Sequence, residues 1–128
     1  MTTVLCVPQW QGSASPDAPR LAPGAHRTAD LLAADTVVTV PVVTGTEEIT
    51  DGIRASAVLV ENLRLTAEAL TKTDDFVITV GGDCGVDMAP ITAARERYGD
   101  DLTVLWIDAH PDVHGPGDLT SGAHHGMV

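Results

Sequence analysis

The chain reads as a parallel α/β sheet protein, on three observations. Thr2–Val7, Thr36–Val43, Phe76–Val80 and Leu102–Ile107 are short apolar or β-branched runs. Stretches of helical periodicity separate them. The runs are continuously apolar and do not alternate, the pattern of strands buried on both faces. At 128 residues the chain accommodates one domain with a modest core, not two.

Taken in order, Thr2–Val7 is the first strand, and Pro8–Pro23, rich in Pro, Ser and Gly, is a loop. A short helix-like run continues to Ala34. It includes His26, which reads as an ordinary surface or core histidine. Thr36–Val43 is the second strand. Thr46 is placed to cap a helix whose first turn holds Glu47, Glu48 and Asp51, acids that suit the positive end of a helix dipole. Ile49, Ile53, Ala57, Val60, Leu63, Ala67 and Leu70 then form an apolar stripe, which is core and not a cofactor box. Phe76–Val80 is the third strand and runs into Gly81-Gly82-Asp83-Cys84-Gly85, where paired glycines permit a tight turn and close approach of backbone. Asp87 is placed to cap the next helix, with Pro90 in its first turn and Gly99 closing it. Leu102–Ile107 is the fourth strand.

The fourth strand enters Asp108-Ala109-His110-Pro111-Asp112. If the extended geometry persists, Asp108, His110 and Asp112 project to one side. Two carboxylates and an imidazole crowded together repel unless a cation sits among them, and these donors suit divalent Mn, Fe, Co or Zn. A polar surface turn is the alternative for Asp-x-His taken alone. In open parallel sheets ligands bind at the carboxyl ends of strands, where Asp83/Cys84 and Asp108/His110/Asp112 both fall.

Gly-Gly-Asp at 81–83, Asp-Ala-His-x-Asp at 108–112 and Ser-Gly-x-x-His-Gly at 121–126, in this order, resemble the ureohydrolase family of arginases, agmatinases and formimidoylglutamases. The resemblance runs from about Val77 to Val128. It implies a sheet with helices on both faces, as the N-terminal portion of a three-layer α/β/α fold. Family members are much longer, so residues 1–128 correspond to a single partial domain.

The activity implied is hydrolysis of a C–N bond in a guanidino compound or other linear amidine, by a hydroxide that two Mn²⁺ ions share. By the same match, Asp108 and Asp112 would serve the first metal and His110 the second, while His125 would shuttle protons. A structural histidine is the other reading of His125. Ser121 and His114 fall at substrate-contacting positions. Arginases typically carry asparagines near His114 and Ala123, and loss of those amides argues against arginine itself as substrate. Agmatine, guanidino acids and other amidines remain open.

Cys84 stands where the family usually has a metal-binding histidine. A thiolate ligand there would lean the site toward Zn²⁺ or Fe²⁺; the other reading is a small buried thiol in a tight turn. Asp83 reads as a turn-bonding or supporting acid and not a ligand. The resemblance also implies later aspartates and a glutamate, so the expectation is that this chain alone is inactive. The rival function is non-catalytic: a truncated or degenerate module that assembles with another chain, or with itself through an exposed strand edge.

The 18 acidic against 7 basic residues argue against nucleic acid or anionic membrane surfaces as partners. Absence of a spanning stretch or a basic leader points to the cytoplasm. Cys6 and Cys84 do not form a disulfide framework.

Overall fold

The structure, a computed structural model, describes residues 1–74 and 76–128. Three parallel strands form its sheet, with the first strand of the chain at its centre. They are β1 (Thr2–Val7), β2 (Thr36–Thr39) and β5 (Phe76–Gly81). Register aligns Cys6 with Thr39 and Val7 with Gly81, so the three carboxyl ends lie together. Helix α1 (Leu21–Leu31) links β1 to β2, and α2 (Ser56–Leu70) leads toward β5. The path moves outward from β1 to β2 and then back across β1 to β5. With right-handed crossovers, that reversal places the two helices on opposite faces.

The core shows both layers. Val4 and Cys6 pack with Ala25 and Ala29 of α1 and with Val80. Leu5 and Val7 point the other way, toward Val40, Val86 and the α2 side chains Leu65, Ala69 and Leu70. Strand alternation at β1 thus feeds two cores from one run of residues. Helix α3 (Met88–Tyr98) follows β5 and packs on α2.

Several expectations need correction. Helix α1 begins at Leu21, inside the expected loop, and tolerates Pro23 because first-turn N–H groups have no intrahelical partner. The expected strand Thr36–Val43 stops at Thr39: Val40 N–H still bonds Cys6 O at 2.8 Å, but Pro41 has no donor to continue the ladder.

Thr46 caps no helix. Residues 49–54 instead form an antiparallel hairpin, β3 (Ile49–Thr50) and β4 (Ile53–Arg54). Its two-residue turn, Asp51-Gly52, has φ of +52° and +81°. Asp-Gly is a favoured pair for a primed turn, and this local signal overrides the helical periodicity. Ala55, also left-handed at φ +54°, then starts α2. The buried face of α2 consists of Val58, Leu59, Asn62 and Thr66. Of the expected stripe, Val60 is exposed, whereas Leu63, Ala67 and Leu70 line a groove against α3.

The fourth strand is absent. Residues 102–107 are irregular and pair with no strand, leaving Val104, Leu105 and Ile107 exposed. No helix among the described residues is long and apolar enough to cross a membrane.

Candidate metal centre

The turn after β5 is fixed from below by Asp83. Its carboxylate is buried and accepts hydrogen bonds from Gln9 Nε2 at 3.0 Å, Gly12 N at 2.8 Å and Gly85 N at 2.9 Å. Asp83 N–H in turn donates to Gln9 O at 3.0 Å. Gly82 passes so close to the Gln9 carbonyl that a Cβ would collide with it. Burial pushes the Asp83 carboxyl above the ordinary aspartate range, opposed by its hydrogen bonds and by nearby His124. Asp83 therefore locks the loop after β1 onto the turn after β5, and it is not in the ligand group.

Cys84 opens a short 3₁₀ turn, Cys84–Asp87, directly before α3. Its Sγ, a carboxylate oxygen of Asp108 and one of Asp112 all lie within 4.8 Å of one another. Burial pushes the Cys84 thiol up to about 11; its hydrogen bond with Asp112 and the charges of Asp112, Asp108 and Asp83 add to the effect. Asp112 is only 8% exposed, sits at φ +49°, and its Oδ2 has no hydrogen-bond partner. A buried carboxylate oxygen without a donor is costly, and a cation is one way to satisfy it. The donor set of one thiol and two carboxylates therefore fits a divalent metal. A cavity of about 270 Å³, lined by Cys84, Asp87, Leu105, Trp106, Ile107 and Asp108, opens beside it.

His110 is not in the group. Its side chain is 80% exposed, with Nδ1 3.5 Å from Asp108 Oδ1. The same Asp108 oxygen accepts the His110 backbone N–H at 2.7 Å. This aspartate-to-backbone turn ends the extended geometry, so His110 stays beside Asp108 but does not join it in the group with Cys84 and Asp112. Without a paired strand before it, nothing holds the segment straight.

The C-terminal motif docks through its backbone. His125 N–H donates to Gly12 O at 3.0 Å, and Arg54 N–H to Gly122 O at 2.8 Å. His114 is exposed and donates its N–H to Gly126 O at 3.0 Å. The Ser121 hydroxyl accepts from Ala123 N at 3.3 Å, a local turn bond. His124, which the motifs pass over in favour of His125, has a buried Nδ1 without a partner. Burial holds its imidazole below the ordinary histidine range, with Asp83 opposing and His125 adding to the shift. His124 lines an apolar cavity of about 150 Å³ between α2, the start of α3 and Gln9. The His124-His125 pair was the only sequence signal for it; which of two adjacent histidines turns inward depends on contacts. Gln9 carried no motif signal at all.

The Arginase family model matches residues 3–128. The chain belongs to the arginase family. It is 44% identical over 56 residues to the arginase of Coccidioides posadasii, a match covering 41% of this chain and 17% of that protein. It is 36% identical over 76 residues to the arginase of Plasmodium falciparum, covering 59% and 18%. The arginase of Entamoeba histolytica, solved in complex with L-ornithine, superposes with a TM-score of 0.71 at 23% identity. That match covers 98% of this chain and 46% of the Entamoeba chain. The parallel sheet with a helix on each face is thus the arginase-type α/β arrangement, and this chain spans less than half the length of the solved arginase.

Proposed function

We propose that this chain carries part of a metal-dependent hydrolase site for the C–N bond of a guanidino compound or other linear amidine. The observation that carries the reading is the grouping of Cys84, Asp108 and Asp112, whose donor atoms lie within 4.8 Å of one another, with Asp112 buried and its Oδ2 without a partner. Cys84, Asp108 and Asp112 would hold the cation. A bound divalent metal supplies water of lowered pKa close to an electrophilic carbon. Around it, Asp83 holds the Cys84 turn in place, and His125, docked on Gly12, is the candidate to carry a proton. His110, exposed beside Asp108, is the candidate to serve a second ion. Ser121 and His114 are the candidates to meet the substrate. Ala123 offers no side-chain amide, so agmatine or a guanidino acid fits this segment better than arginine.

A second reading, assembly with another chain or with a copy of itself, is favoured by the exposure of Leu105, Ile107 and Val113 at 79%, 87% and 76%. The two readings combine if the assembled form completes the site. Divalent-metal titration of the chain and of Asp112→Asn tests the first: one bound ion, lost in the variant, is expected, and unchanged binding in the variant overturns it. Sedimentation tests the second. Urea release should accompany the assembled species, with arginine the poorest substrate, and a monomer that hydrolyses arginine best would contradict both assignments.

A further inference from the structure

We propose that Cys84 makes this centre a thiolate site that selects Zn²⁺ over Mn²⁺, an inference that rests on the metal reading above. Three features of the structure carry it. The thiol is one of the three atoms in the group, alongside the Asp108 and Asp112 carboxylates. Its position is built: the Asp83 hydrogen bonds to Gln9, Gly12 and Gly85 fix the turn that presents it, and α3 begins immediately after. Asp112, the third member of the group, is nine-tenths buried and its Oδ2 has no hydrogen-bond partner.

The donor chemistry then discriminates. Mn²⁺ prefers oxygen and imidazole ligands in a larger shell, whereas Zn²⁺ accepts sulfur and is satisfied by three protein donors with one open position. Coordination breaks the Cys84 S–H bond, with the proton passing to buffer and the electron pair remaining on sulfur for the metal. Zn²⁺ exceeds Mn²⁺ at almost any nitrogen, oxygen or sulfur site, so the preference alone is not diagnostic. What distinguishes a thiolate site is how far the preference falls when sulfur is removed.

The experiment uses the 128-residue chain with Co²⁺ as a spectroscopic stand-in for Zn²⁺, followed by Zn²⁺/Mn²⁺ competition. A sulfur-to-cobalt charge-transfer band in the near ultraviolet is expected in the native chain and absent in Cys84→Ser and Cys84→His. The Zn²⁺/Mn²⁺ affinity ratio should drop by about tenfold or more in Cys84→His. Co²⁺ binding without the band, or an unchanged ratio, overturns the thiolate assignment while the metal reading stands. No binding of any divalent ion overturns both. The band in the native chain is read without any variant, so a misfolded substitution does not decide the result.

Discussion

Two four-residue runs, Val4-Leu5-Cys6-Val7 and Val104-Leu105-Trp106-Ile107, look equivalent on paper and meet opposite fates. The first is the central strand, with every residue at most 2% exposed. The second joins no sheet, and Leu105 and Ile107 are 79% and 87% exposed. Hydrophobicity does not separate them. β1 has a parallel neighbour on each side and a helix over each face, so its backbone groups and both sets of side chains are satisfied at once. Residues 102–107 have neither a paired strand nor a covering layer among the described residues. An apolar run becomes a strand only when partners take up its hydrogen bonds. The Cys84, Asp108 and Asp112 group straddles this divide, with Cys84 on the ordered side and Asp108 and Asp112 on the irregular one.

The sharpest test of that contrast is a pair of truncations. Leu5→Ala should cost about 3 kcal/mol in urea unfolding, as expected for a fully buried leucine at the centre of a sheet. Ile107→Ala should cost less than about 0.5 kcal/mol in the same chain. Equal losses would mean that residues 102–107 are buried in solution, and the comparison would collapse.

A smaller effect is expected where the two regions are joined. Gly52 sits at φ +81°, and a Cβ there would press on the backbone of Gly117. Gly52→Ala should therefore cost about 1–2 kcal/mol, the strain of a left-handed non-glycine residue plus displacement of the loop. Amide exchange should accelerate in residues 115–122 while β1 remains protected. Acceleration across the whole sheet would show that the loop is not a separate unit.

The smallest effect concerns His124, a half-buried side chain through which the C-terminal segment reaches the first region. Its pKa in the folded chain lies below the ordinary value of 6.5 because burial disfavours the cation. The unfolded chain therefore binds the proton more readily. The neutral imidazole's contribution is complete above about pH 6.5 and is lost as pH falls toward the lowered folded value. The urea midpoint should decline over that window, and His124→Gln should flatten the decline. A slope unchanged by the substitution would place the titrating group elsewhere.

The sequence by itself determined the strands β1 and β5, the bounds of α3 from Asp87 to Gly99, the α/β class and the motifs that mark the family. These are local matters: continuous β-branched runs, a glycine at a helix end and short ordered motifs need few distant partners to be read. Even the Asp51-Gly52 hairpin is legible as a turn signal, a favoured primed-turn pair set within a helical periodicity. Tertiary structure decided the rest. It chose which face of α2 is buried, the face on which Asn62 Oδ1 accepts the Val43 N–H at 2.7 Å. It turned His124 inward instead of leaving the choice between two adjacent histidines open. It also left His110 against Asp108 but outside the group with Cys84 and Asp112, since alternation holds only while a strand is paired, and residues 102–107 lie beside no partner to keep them extended.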